Sequence, residues 1–196
     1  VFVSDRADNR VQKFSPSGQF LTEWGTNGSG DGQFIFPGGI AAGPGGVVYV
    51  VDTNNRRIQK FSSSGQYLDQ WGGYGAGEGQ FNHAVDVAVD TGGYVYVTDS
   101  YGSRVQKFTS SGEYVREWGG AGNDPGQFNL PLGIAVDRVG NVYVTDGNTN
   151  ALLAAAAVSP AMVFRELARS ISFAHFDIVN AAVVDVLTLI VQVILL

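Results

Sequence analysis

The chain repeats itself at a fixed interval of 47 residues. The segments Val1-Phe2-Val3-Ser4-Asp5, Val48-Tyr49-Val50-Val51-Asp52, Val95-Tyr96-Val97-Thr98-Asp99 and Val142-Tyr143-Val144-Thr145-Asp146 place aspartates at 5, 52, 99 and 146. The same interval relates Gln12-Lys13-Phe14 to Gln59-Lys60-Phe61 and Gln106-Lys107-Phe108. It also relates Trp24-Gly25 to Trp71-Gly72 and Trp118-Gly119, and Gly32-Gln33-Phe34 to Gly79-Gln80-Phe81 and Gly126-Gln127-Phe128. No insertion breaks the register across three units. Such a period is the mark of an array in which each unit is too small to bury its apolar face alone and stacks on its neighbours.

Each unit reads as four short strands. In one copy these are 86–90 (strand a), 94–98 (b), 104–109 (c) and 113–118 (d), with Gly, Ser and Asp in the turns where the backbone needs positive φ or a side-chain cap. Strand b is apolar on both faces, Tyr94 and Tyr96 on one and Val95 and Val97 on the other. It must therefore be covered on both faces. Sheets stacked radially around an axis meet that demand, and a period in the forties with four strands per unit fits a β-propeller better than a helical repeat. The expected fold is all-β: residues 1–150 form about three four-stranded propeller blades plus the inner hairpin of a fourth.

The motifs resemble the NHL family of β-propeller repeats. The resemblance rests on Pro131-Leu132-Gly133-Ile134-Ala135-Val136-Asp137 followed by Gly140-Asn141-Val142-Tyr143-Val144-Thr145-Asp146. The run Asp52-Thr53-Asn54-Asn55-Arg56-Arg57-Ile58-Gln59-Lys60-Phe61 followed by Ser64-Gly65 belongs to the same pattern. It covers about three quarters of the chain. It implies a propeller, commonly of about six blades, that binds proteins, RNA or carbohydrates more often than it catalyses. Related propellers include lyases and lactonases with a metal at the axis, so an enzyme fragment is the alternative.

Residues present in every unit are expected to be structural. Asp5, Asp52, Asp99 and Asp146 stand where strand b enters a turn, suited to accept backbone N–H groups there. Arg10, Arg57 and Arg104 follow five residues after the first three and are placed to pair with those carboxylates. Trp24, Trp71 and Trp118 end the outer strands and are expected to pack between blades, a sugar-stacking ladder being the functional alternative. Gly28-Ser29-Gly30-Asp31-Gly32 precedes a strand and lacks the Lys-Ser/Thr of a phosphate-binding loop, so it reads as a plain loop.

A binding site needs features that differ between units. Four up-and-down strands put the b–c hairpin and the d-to-a crossover on one rim, and departures from the repeat gather there. His83 replaces Phe36 and Leu130, Asp86 replaces Gly39 and Gly133, Tyr101 replaces Asn54 and Asn148, and Tyr74 replaces Asn27 and Ala121; Arg56 stands opposite Ser103. His83, Asp86, Tyr74, Tyr101 and Arg56 are the candidate binding rim, since aromatics with an arginine compose many interaction hot spots; drift in tolerant loops is the bland alternative. One His and one carboxylate fall short of a metal ligand set, and no nucleophile triad, HExxH or EF-hand pattern occurs. Neither catalytic residues, nor a metal, nor a cofactor is expected.

The absence of cysteine excludes disulfides and thiolate metal sites. The formal net charge of −6, without a basic stripe, argues against nucleic acid as a partner. Opening on Val1 within a strand-like run, with no signal peptide, the chain reads as processed, truncated or partial. Three blades and a hairpin leave sheet edges open, which soluble proteins avoid, so further blades or another subunit are expected to complete the ring. From Ala151 glycine disappears and Ala, Val, Leu and Ile dominate. The tail 151–196 is expected to be helical, with Ser159-Pro160 as a start. It would dock on a partner or associate with a membrane through 178–196, although Asp185 is costly in lipid. A buried strand pair and non-native sequence are further readings of the tail. Together these features point to a non-catalytic scaffold that binds a protein or glycan through one rim, outside the cytoplasm or within a larger assembly. A membrane-tethered architectural subunit is a third reading.

Overall fold

Strands short enough to be punctuated every few residues by Gly, Ser and Asp fold here as consecutive antiparallel hairpins. The structure is a computed structural model that describes residues 1–147. The first sheet holds β1 (Phe2–Asp5), β2 (Arg10–Phe14) and β3 (Phe20–Trp24). The second holds β4 (Pro37–Ala42), β5 (Val48–Asp52), β6 (Arg57–Phe61) and β7 (Tyr67–Gly72). The third repeats it with β8 (Ala84–Val89), β9 (Val95–Asp99), β10 (Arg104–Phe108) and β11 (Tyr114–Gly119). The fourth pairs β12 (Pro131–Val136) with β13 (Val142–Asp146). Every pairing between these strands is antiparallel and in sequence order, so the sheets are up-and-down blades and the all-β propeller expectation holds. Two of them are complete, while the first contains strands b, c and d and the fourth a and b. The expected tail at 151–196, including its helix, lies outside the described residues.

The double-faced burial anticipated for strand b is visible on β5. Val48 and Val50 pack with Val11, Phe34 and Phe61 on the side of the first sheet. Tyr49 and Val51 pack with Phe81, Val87, Val95, Val97 and Phe108 on the side of the third. Burying a side chain of this size contributes about 1.5–3 kcal/mol, and most of that burial is between blades. In the third blade Tyr94 departs from the expected pattern. It precedes β9 and is exposed, with the Lys107 ammonium 3.9 Å from its ring centroid, while Tyr96 is buried. Strand a also starts earlier than expected, at Ala84, with a register irregularity before Asp86.

Outer strands join neighbouring blades through the tryptophans. Trp24 lies 5.8 Å from Phe61 and Trp71 5.8 Å from Phe108, each ring reaching into the following sheet. The c–d turn of that following blade closes over the indole. Gly112 has φ +81°, and a Cβ there would stand 2.7 Å from Trp71 ring carbons, so only glycine fits. Inner strands β4, β8 and β12 lie side by side. Strand b of one blade also reaches strand a of the next, Ser4 Oγ of β1 donating to the Gly38 carbonyl and Thr98 Oγ1 of β9 to the Leu132 carbonyl, at 2.6 and 2.7 Å.

Candidate functional site

The rim is built on the repeated aspartates, although not in the way the sequence implied. The Asp52 carboxylate accepts the backbone N–H of Ile35, and that of Asp99 accepts those of Asn82 and His83. Asp146 takes the N–H of Asn129. These donors belong to the incoming crossover and not to the b–c turn, because that loop folds back against the end of strand b. The turn N–H groups are satisfied elsewhere, Asn54 donating to the Ile35 carbonyl and Ser100 to that of His83. Among the described residues Asp5 alone of these aspartates receives a backbone N–H of its own turn, from Asp8 at 3.3 Å, while Asp52 receives the side-chain amide of Asn55.

The arginines pair across the hairpin, Arg57 Nε to Asp52 at 2.8 Å and Arg104 Nε to Asp99 at 3.1 Å, with both carboxylates fully buried. Arg10 bonds Asp5 at 3.2 Å in a more open setting, and its guanidinium holds that carboxyl below the usual range although burial pushes the other way. The remaining guanidinium donors hold the glycine-rich loop, Arg104 reaching the carbonyls of Ala76, Gly77 and Gln80. Gln106 Nε2 also donates to the Gln80 carbonyl while its Oε1 accepts the Gly79 N–H. Gln80 in turn closes the loop on itself by accepting the Gly77 N–H. Gln59 and Gln33 do the same one blade earlier. This role of the Gln-Lys-Phe and Gly-Gln-Phe glutamines was missed in the sequence, where their repetition was the only signal.

On this frame the candidate rim residues form pairs. The His83 and Tyr101 rings stack at 4.5 Å, 26° from parallel, and the Arg56 guanidinium lies 4.6 Å from the Tyr74 ring centroid. Tyr74 is 72% and Tyr101 68% exposed. A third pair joins them that sequence comparison could have found: Arg6 stands 4.1 Å over Phe36. Arg6 occupies the position of Thr53 and Ser100, itself a departure from the repeat. Position 83 also differs in its backbone. Phe36 and Leu130 have φ of 58° and 60°, and the Phe36 N–H is held by the Asn9 side chain. Arg56 replaces Asn9 and offers no acceptor, and the His83 N–H goes to Asp99, 2.7 Å away, without a left-handed conformation. Burial lowers the His83 pKa; Asp99 opposes this, while the charges of Arg6 and Arg56 reinforce it. The imidazole is therefore neutral at neutral pH.

Asp86 stands apart from these pairs. Its carboxylate accepts the N–H of Val87 at 2.9 Å and that of Ile134, in the next blade, at 3.0 Å. Gly39 presses against it from the preceding blade, where a Cβ would collide with the carboxylate. Asp86 thus bridges three inner strands, and burial raises its pKa against the pull of the two amides. Among the described residues no three of His, Asp and Glu converge as a metal ligand set.

Residues 34–61 and 81–108 match the family model of the NHL repeat. No curated protein matches the chain. Among solved structures, virginiamycin B lyase from Staphylococcus aureus superposes with a TM-score of 0.53 at 14% identity, over 74% of this chain and 44% of that one. A streptogramin B lyase gives 0.51 at 16% identity, over 74% and 53%. A protein of unknown function from Bacteroides caccae gives 0.50 at 14% identity, over 72% and 48%. The chain spans about half the length of these proteins. At such identities the likeness is one of fold. The chain carries an NHL-repeat β-propeller segment.

Proposed function

We propose that the chain is a non-catalytic propeller scaffold that binds a protein or glycan partner through the b–c rim, as part of a larger ring or assembly. One observation carries this reading: all but Asp86 of the residues singled out as breaks in the repeat stand as ring–cation and ring–ring pairs on the rim, while those that keep it are spent on holding blades and loops. Exposed rings with a nearby arginine suit an interface, because they supply large contact area at little conformational cost. The test is binding of the full chain to glycan and peptide arrays, comparing wild type with the Tyr74→Ala, Tyr101→Ala double variant. The expected result is a set of ligands lost in the variant while its denaturation midpoint is retained; undiminished binding would overturn the reading.

A propeller enzyme is the second reading, favoured by the likeness to the two lyases. Among the described residues His83, just before β8, and Asp86 on it would be the acid–base pair, and Asp86 is committed to amides. Such a site would draw its remaining groups from outside residues 1–147.

A further inference from the structure

We propose that the rim reads carboxylates: Arg6 and Arg56 form a two-pronged clamp for an acidic, extended protein segment. This rests on the rim being a binding surface and names what it takes. The repeated arginines Arg10, Arg57 and Arg104 spend their guanidinium donors on carboxylates, carbonyls and a glutamine. Arg6 and Arg56 make no ion pair with any described carboxylate, and each lies over an aromatic ring, at 4.1 and 4.6 Å. A guanidinium laid on a ring loses the freedom that makes surface arginines weak binders, yet keeps its in-plane N–H fork open to a bidentate acceptor.

The nearby acids do not cancel this charge. Asp5 and Asp8 are paired to Arg10, Asp52 to Arg57 and Asp99 to Arg104. His83, whose imidazole feels both Arg6 and Arg56, adds no charge at neutral pH. An acidic chain therefore presents a local positive stripe beside apolar surface, with Phe36 44% exposed on the rim. Carboxylates alternating with apolar side chains complement that pattern. A neutral glycan does so less well, because the guanidiniums already cover a face of Phe36 and Tyr74 that a sugar would stack on.

The probes are three sets labelled for fluorescence anisotropy against the full chain: peptides alternating Glu with Leu, their Lys-for-Glu counterparts, and oligogalacturonate as a carboxylate-bearing glycan. Binding confined to the acidic peptides and weakened by added salt is expected. Arg6→Gln and Arg56→Gln should each weaken it about five- to tenfold, as loss of a charge-assisted contact at a partly wet interface does. Arg56→Lys should restore little, since an ammonium lacks the fork. Equal binding of the basic peptides, preference for the uronate, or indifference to both glutamine variants overturns the clamp. If the glutamine variants bind as wild type while Tyr74→Ala, Tyr101→Ala does not, the clamp fails and the rim stands. If all variants bind alike, both readings fail.

Discussion

At the scale of single residues, the same aspartate does different work according to its burial. Asp99 is shut away from solvent with Arg104, and its two oxygens also hold the N–H groups that launch β8. Removing it strips the buried Arg104 Nε of its partner, leaving Glu117 and the loop carbonyls to hold the guanidinium, and strands two backbone amides. Asp99→Ala should therefore cost about 3–5 kcal/mol, read as a lower urea midpoint at unchanged slope. Asp5→Ala, whose pair with Arg10 is reached by water, should cost visibly less; equal losses would contradict the burial argument. His83 yields a pH signature. Burial, with help from Arg6 and Arg56 and against Asp99, holds its pKa below the ordinary value of about 6.5. Between that value and the lowered one the unfolded chain binds a proton that the native chain refuses. Stability contributed by the neutral imidazole is thus full above the ordinary value and lost as pH falls through this window. His83→Phe, the side chain of the sister position 36, should lose less stability than wild type when both are acidified from neutrality. Parallel losses would assign the acid sensitivity to other groups. The Asp–Arg pairing was legible from a five-residue spacing across a hairpin. The Asp99–His83 bond was not, because it joins positions brought together only when the crossover folds back.

At the scale of the element, the turns decide how closely blades approach. Gly18 and Gly112 occupy the same place in the c–d turn of different blades, with φ of +81° in both. A Cβ at 18 meets nothing within 4 Å, whereas one at 112 meets the Trp71 ring at 2.7 Å. Gly18→Ala should cost only the left-handed backbone penalty, about 1–2 kcal/mol. Gly112→Ala should exceed that, because the indole must move away from Phe108 or the turn must open. Thermal midpoints of the two variants decide it, and equal shifts would mean that the Trp71 contact carries no weight. Strand order and turn positions followed from the repeat, since hairpins are local and each turn announces itself with Gly or Ser. Strand ends were less legible. The irregularity before Asp86 begins β8 two residues early, and such a bulge is set by inter-blade bonding that one unit's sequence does not contain. The rim illustrates the same limit. Tyr74, Tyr101, His83 and Arg56 stood out as breaks in the repeat, but their arrangement as ring–cation and ring–ring pairs depends on neighbouring turns meeting across a crossover.

At the scale of the molecule, the governing fact is that blades stabilise one another. The second blade is buried on both sides by its neighbours, and the pattern demands like treatment of every sheet. Among the described residues, β1 pairs with β2 alone and β13 with β12 alone. Val3 and Tyr143, on the first and fourth sheets, are exposed where their counterparts in the interior blades are buried. Unpaired strands beside apolar side chains recruit further strands, and the solved propellers of this likeness are about twice as long as the matched segment. We therefore expect further blades to complete the ring, from the same polypeptide or, when these 196 residues stand alone, from a second copy. Light scattering on the purified protein should give a discrete mass of two chains or more, stable on dilution. A monomer that neither aggregates nor binds an apolar dye would overturn this and mean that the four sheets are self-sufficient. The distinction bears on the rim as well. Arg6 and Phe36 sit between the first and second blades, so sheets docking on the first would extend the Arg6–Phe36, Arg56–Tyr74 stripe or bury its end. Repeating the anisotropy measurement at concentrations on either side of any dissociation step would separate these cases: affinity that rises with assembly extends the clamp, and affinity that falls means assembly and ligand compete for the same turn.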